Sequence, residues 1–347
     1  MPSQLPCNLE TFQLVTNLLY ERGGIISIKY PPIGEIARFL HKHNNVKVEL
    51  IPQHQYDEAR DSVCSKEPAC DHEIPRYDQI MEAFYCAGIP PLSGVKDLLI
   101  QNIEGRDVLK GHKPLWIGYD TCVLRRRFYS NICEILSRRK GNASIGHAIA
   151  EGVNEELLVA MNNKNTQRDI SNLERIFPEA RIFLNKATLD ARLHRIGLAE
   201  IDLMKTHEVV RRLPSEKGDL AIIKGYVELE KNRNAELLVF SSDNNFIETA
   251  ADMSLNSHYV TYHPHQVEEY LKENELSLDL LNNLLYHLAI VCGFIRLPGI
   301  TVASIWPNKT VNDWKAGFIQ VSASGSLEVE VVRTHGILSK MKEKKLY

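Results

Sequence analysis

The chain has the pattern of an α/β protein: a three-layer α/β/α sandwich around a central, mostly parallel sheet, with a mixed region before it and a small α+β appendage after it. Three observations predict this. Strand-like apolar runs alternate with helical patterns between residues 107 and 265, which is how a parallel sheet covered by helices on both faces is built. Two of the clearest strands end on an acid, or one residue short of one, just ahead of a helical pattern. The pattern also changes on either side, dividing the 347 residues into 1–106, 107–265 and 266–347, more than a single typical domain.

In the first region, Phe12, Val15, Leu18 and Leu19 recur at helical spacing and predict a helix over 9–21, stopped by Gly23-Gly24. A second helix is expected over 33–42, after the breaker Pro31-Pro32. The alternation Val46-Lys47-Val48-Glu49-Leu50-Ile51 predicts a strand. Residues 53–75 are polar and read as a loop. In the central region strands are expected over 115–119, 143–150, 237–241 and 259–262, with a short one at 180–184. Helices are expected over 123–139, 154–161, 167–176, 187–198 and 220–231. Beyond His265, helices over 266–273 and 278–295 precede β-patterned segments at 300–306, 316–322 and 327–332, the last two joined as a hairpin through Ala323-Ser324-Gly325-Ser326. The apolar positions Leu280, Leu281, Leu284, Leu285, Leu288 and Ile290 are too hydrophobic to face water, so that helix packs within the chain or forms a homodimer interface.

A hydrophobic content of 44% supports a packed core, and 24% charged residues is ordinary. With a net charge of −3, any affinity for nucleic acid must come from local patches. Neither a secretory apolar region nor a membrane-length apolar run is present, which predicts a cytoplasmic protein with no membrane partner. The seven scattered cysteines suit reduced thiols. Cys64, Cys70, His72 and Cys86 lack the CxxC pair of a zinc site.

The residues that bear chemistry are four carboxylates. Asp120 follows the run Leu115-Trp116-Ile117-Gly118-Tyr119, and Asp243 follows Leu237-Leu238-Val239-Phe240-Ser241 by one residue. In an open parallel sheet both positions fall at the carboxyl ends of strands, where ligands bind. Glu156 is expected in the first turn of a helix, and Asp219 opens the next helical pattern; taken alone, each is equally an ordinary helix-start acid stabilised by the dipole. In order and spacing, Asp120-Thr121, Glu156-Leu157, Asp219 and Ser241-Ser242-Asp243-Asn244-Asn245-Phe246 resemble the motifs of the PIN-domain nuclease family over roughly residues 112–265. Glu151 and Glu155 stand close to Glu156 as alternatives, and the Glu-Leu pair favours Glu156. Many family members carry a second acid where this chain has Asn245.

That resemblance implies a PIN-like sandwich and a metal-dependent endoribonuclease, a hydrolase of RNA phosphodiesters. Its cofactor would be Mg²⁺ or Mn²⁺, which prefer oxygen ligands. Asp120, Glu156 and Asp219 would hold a first ion, and Asp243 with Asp120 would hold a second or orient waters. Substrate contacts are expected from Thr121, Ser241 and Asn245 and from the cations Arg125, Arg126 and Arg127, whose place in the first turns of a helix opposes its dipole. Arg138-Arg139-Lys140 instead suit a helix C-terminus. A structure-selective DNA nuclease and a non-catalytic RNA-binding or assembly scaffold are the alternatives. No strand is followed by a GxGxxG loop, which disfavours a dinucleotide enzyme.

Overall fold

The computed structural model of the chain describes residues 4–42, 45–92, 94–137, 144–305 and 317–343. The chain opens with strand β1 (Gln4–Cys7), helix α1 (Leu9–Glu21) and a meander of β2 (Ile25–Tyr30), β3 (Gly34–Lys42) and β4 (Asn45–Leu50). Helices α2 (Gln53–Lys66), α3 (Tyr77–Cys86) and α4 (Val95–Ile103) follow. Next come β5 (Leu115–Tyr119), α5 (Thr121–Leu124), α6 (Phe128–Ser137), β6 (Ile145–Ala150), α7 (Glu151–Met161) and α8 (Gln167–Ile176). The chain continues through α9 (Leu189–His207), β7 (Val210–Leu213), α10 (Asp219–Arg233), β8 (Glu236–Ser241), α11 (Asn244–Asp252) and β9 (Ser257–Tyr259). It closes with α12 (Pro264–Glu273), β10 (Leu276–Ser277), α13 (Leu278–Cys292), β11 (Phe294–Leu297), β12 (Ile300–Ala303), β13 (Ile319–Ala323) and α14 (Ser326–Glu343).

The elements form two compact units. One comprises Met1–Pro90, Asn163–Arg192 and His263–Tyr347; the other comprises Pro91–Asn162 and Leu193–Tyr262. The α/β class expected from the sequence is present, but the two ends of the chain, expected as separate parts, lie in the same sheet. That sheet has eight strands in the order β1-β13-β12-β11-β2-β3-β4-β10. Every neighbouring pair is antiparallel, with β1 on β13 and β2 on β11 joining the two ends of the chain. In the same unit α13 is buried almost all round: Leu281, Leu284, Leu285, Leu288 and Ile290 are inaccessible. The apolar face offered for a homodimer is therefore covered within the chain.

The second unit has five parallel strands in the order β7-β6-β5-β8-β9. β5, β6 and β8 are buried on both faces, with Ile117, Tyr119, Ala148, Ile149, Val239 and Phe240 in one core, as a parallel sheet requires. Among the described residues no helix is long and apolar enough to cross a membrane, and all seven cysteines are free.

Several elements depart from expectation for identifiable reasons. Residues 33–42 form β3 because pairing with both β2 and β4 outweighs local preference. Residues 53–66 form α2 with little helical amphipathicity to announce it. Its one fully buried side chain, Tyr56, donates to Pro75 O at 2.7 Å. The alternating Glu-Val run after Ser326 mimics a strand, yet Leu327 and Val331 are buried at helical spacing on α14. Residues 180–184 belong to a 3-10 stretch, Pro178–Asn185. The helix expected over 123–139 breaks into α5 and α6 where Arg127 takes φ 54°. Arg138-Arg139-Lys140 and the ends of the strands expected at 306 and 316 fall outside the described residues.

A buried ion pair organises the first unit. Arg192, fully inaccessible, meets Glu73 at 3.1 Å and donates to Ala187 O, Ile290 O and Val291 O, so it also satisfies carbonyls in the last turn of α13. Glu73 accepts in turn from Leu189 N at 2.9 Å. Removing one member strands the other's charge, so Glu73→Ala is expected to cost about 3–5 kcal/mol. Urea unfolding of the full chain measures this, and a loss below about 1 kcal/mol would refute it.

Candidate active site

The strand order places the four carboxylates. β5 is followed outward by β6 and β7, after which the chain crosses back to add β8 on the other side of β5. The gap between the carboxyl ends of β5 and β8 is thus the topological switch point, where open α/β sheets bind ligands. Asp120 comes directly after β5, Asp243 after β8, and Glu156 and Asp219 lie on the helices that follow β6 and β7. Glu156 is in the second turn of α7, not the first, because the helix starts at Glu151. Asp219 is the first residue of α10, behind Gly218 at φ 96°.

Hydrogen bonds link these positions around the cleft. Asp120 N–H continues the sheet by donating to Phe240 O at 3.0 Å. One carboxylate oxygen of Asp120 accepts from Thr121 N at 2.6 Å, capping α5; the other accepts from Ser241 Oγ at 2.6 Å and from Cys122 Sγ at 3.0 Å. Ser241 Oγ accepts in turn from Asp243 N at 3.0 Å, and Asp243 caps α11 through Asn245 N at 2.8 Å. On the opposite side Thr121 Oγ1 donates to Glu156 at 2.6 Å, and the second oxygen of Glu156 accepts from Gly218 N at 3.1 Å. Thr121 and Ser241 therefore each hold a carboxylate, as their chemistry allowed.

Burial grades across the site. Asp120 is only 6% exposed, Thr121 and Glu156 are half-buried, and Asp219, Asp243 and Asn245 are open to solvent. Burial raises the Asp120 carboxyl above its ordinary range, partly offset by Cys122, Ser241 and Thr121, while the charge of Glu156 adds to the rise. Asp219 is raised as well, first by partial desolvation and then by the charges of Asp120, Asp243 and Glu156. Asp219 thus feels the charge of each of the other three acids, and Asp120 that of Glu156. Among the described residues, no three His, Cys, Asp or Glu side chains form a group placed to hold a metal ion. An all-oxygen carboxylate group nevertheless suits Mg²⁺, which keeps several waters and is commonly held by one or two carboxylates.

The three arginines have different surroundings. Arg127 turns to the buried carboxylate of Glu200 at 3.5 Å and to Ser130 Oγ at 3.0 Å. Arg126 donates to Cys122 O and, at 3.2 Å, to Ser242 Oγ, and it lies 4.7 Å from the centre of the Tyr262 ring, beside the segment that carries Asp243. Arg125 is half-buried.

Three contributors escape sequence reasoning. Cys122 donates to Asp120 and accepts from Ser242 N at 3.0 Å; burial, then the Asp120 charge, pushes its thiol up to about 12, which keeps it a donor. Its only signal was its position two residues after Asp120. Tyr226, buried on α10, donates to Tyr119 O at 2.7 Å and accepts from Tyr119 N at 3.1 Å, where β5 and β6 part beyond Gly118 and Ala148. Gly152 lets the loop before Asp219 approach: a Cβ there would lie 2.1 Å from Glu216 O, and its N–H donates to Ser215 Oγ at 2.9 Å.

Set against protein-family models and against curated proteins, the chain matches neither.

The raised Asp219 carboxyl has a stability consequence. The native state holds this proton more tightly than the unfolded chain, so the contribution is present at low pH and is lost as pH rises through the native value. Asp219→Asn removes that loss. The variant is expected to melt slightly above the parent near pH 7, with the difference shrinking as the pH falls. Thermal unfolding at neutral and acidic pH tests this, and a variant that melts lower at neutral pH would contradict it.

Proposed function

We propose that the chain is a metal-dependent nuclease acting on RNA, with a PIN-like α/β/α unit that holds Mg²⁺ or Mn²⁺ at Asp120, Glu156, Asp219 and Asp243. The observation that carries this is the hydrogen-bonded run Glu156–Thr121–Asp120–Ser241–Asp243 at the switch point of a parallel sheet, with Asp219 opening α10 next to Gly218, which bonds Glu156. Four carboxylates gathered without a cation repel one another, and the network from Gly218 through Glu156, Thr121, Asp120 and Ser241 to Asp243 holds them in place against that repulsion.

The four acids supply an oxygen-only donor set, which favours Mg²⁺ or Mn²⁺ over zinc. Such an ion supplies a more acidic bound water and neutralises charge on the phosphate. The rest falls to the chain's own groups. Ser241 and Cys122 orient the Asp120 carboxylate, Thr121 orients that of Glu156, and the solvent-open carboxylates of Asp219 and Asp243 face incoming substrate and water. Arg126, fixed by Ser242 and Tyr262 beside the segment that carries Asp243, is the cation that would meet a phosphate there. Asn245 adds a neutral amide at the rim.

Labelled single-stranded or loop RNA incubated with Mg²⁺ or Mn²⁺ is expected to give 5′-phosphate and 3′-hydroxyl ends. Asp120→Asn, which removes charge and little volume, is expected to lower the rate roughly 100-fold or more. Independently of activity, Mn²⁺ should raise the melting temperature of the parent and raise that of the variant less. Undiminished cutting in EDTA or by Asp120→Asn would overturn the metal mechanism.

Binding is tested separately on Arg126. Arg126→Gln is expected to weaken RNA binding and to flatten its log–log salt dependence by roughly 0.7 for one lost single-strand phosphate contact. An unchanged slope would leave Arg126 a structural residue.

A further inference from the structure

The eight-stranded sheet of the first unit is only partly closed at its β4 end. β10 covers two residues of that edge, Leu276 opposite Val46 and Ser277 opposite Asn45. Ahead of Leu276 the chain leaves the sheet for α12, so, among the described residues, 47–50 have β3 on one side and no strand on the other. The register fixes which backbone groups face outward. Ile51 N–H donates to Ile36 O at 3.0 Å. By the alternation of antiparallel pairs, Glu49 and Lys47 then also turn their N–H and C=O groups toward β3, while Val48 and Leu50 turn theirs away. Val46 is in the same phase as Val48 and is paired by Leu276. Among the described residues, no hydrogen bond reaches the outward N–H and C=O groups of Val48 and Leu50.

A cavity of about 760 Å³ lies along this edge, walled by Val48, Leu50, Pro52, Tyr77, Leu271 and Lys272. Its width is set by two ties. Lys47 Nζ donates to Leu271 O at 2.6 Å and Lys272 O at 2.5 Å, anchoring the last turn of α12 to the strand, and Tyr77 Oη donates to Glu268 at 2.7 Å.

We propose that this slot docks an extended peptide segment of a partner protein, added as an antiparallel strand along residues 47–50 in line with β10. A second backbone is the ligand whose donors and acceptors repeat at the two-residue spacing of Val48 and Leu50, and β10 already occupies the same edge in that manner. A peptide residue set beside buried Val48 is expected to be apolar and β-branched, and its neighbours polar, giving an alternating pattern. Glu49, Asp57 and Glu268 border the slot against Lys272, while the Lys47 ammonium is committed to α12 carbonyls, so the lining is acidic on balance and lysine or arginine at the flanks is favoured.

The test is selection of a displayed library of random heptapeptides on the immobilised full chain. Enriched peptides are expected to alternate β-branched with polar residues and to carry basic flanks. In synthetic form they should slow amide hydrogen exchange at Val48 and Leu50 roughly tenfold near saturation. The Val48→Pro chain, which loses an outward donor at an edge position where proline is tolerated, should bind them at least tenfold more weakly. To separate binding from any folding defect of that variant, the same peptide N-methylated at alternate residues is offered to the parent chain and should also lose binding at least tenfold. No enrichment, equal binding of the N-methylated form, or binding that leaves exchange at Val48 and Leu50 unchanged would overturn strand addition; the last two would mark the slot as one for compact apolar ligands.

Discussion

The pairing of β5 with β8 is the constraint on which the candidate site depends. It sets Tyr119 beside Phe240 and continues one step further through Asp120 N–H to Phe240 O. Only in this register does Ser241 reach the carboxylate of a residue 121 positions away in sequence. A slip by one residue would turn every side chain of the strand to the other face and part Asp120 from Ser241. The register is held by what lies beneath it. Phe128 packs against both Phe240 and Tyr119, with ring centres 4.6 Å and 6.0 Å apart, and Tyr119 donates to or accepts from the buried His147 at 2.6 Å. An apolar core below and a charged cluster above thus share the same two strands.

Holding like charges together costs free energy, and the site shows where the opposing contributions come from. Asp120 caps α5 and Asp243 caps α11, so each carboxylate satisfies backbone N–H groups that the helix ends would otherwise leave orphaned. Glu156 takes the N–H of Gly218, and a glycine in the left-handed half of backbone space lets Asp219 begin α10 at that point. Asp120, Asp219 and Asp243 are therefore also helix-start residues, whereas Glu156, in the second turn of α7, is not.

How much of this was legible in the sequence follows from the range of the interactions. Strands buried on both faces announce themselves as apolar runs, so β5 and β8 and the acids after them were placed correctly, and so was the capped helix α1. Residues 33–42 and 327–332 were misassigned because pairing partners or burial decided their state, and period-two alternation in Leu327-Glu328-Val329-Glu330-Val331 is indistinguishable from a strand until Leu327 and Val331 find a common face. The two-unit division was out of reach for the same reason: β1 pairs with β13 across more than three hundred residues, and no local pattern encodes such a pairing. Cys122 and Tyr226 were missed because their roles lie in hydrogen bonds to groups distant in sequence.

The chain's architecture separates what must be stiff from what must be open. Arg192 and Glu73 pair in the interior of the antiparallel unit, where Arg192 also donates to Ile290 O and Val291 O at the end of α13. In the parallel unit the stiffness lies in buried strands and in Tyr226, which spans the point where β5 and β6 diverge. Opening the sheet there is what makes room for Thr121 and Glu156 to meet over its end. The same divergence removes ladder hydrogen bonds from Tyr119, and the Tyr226 hydroxyl replaces them with one bond given and one received.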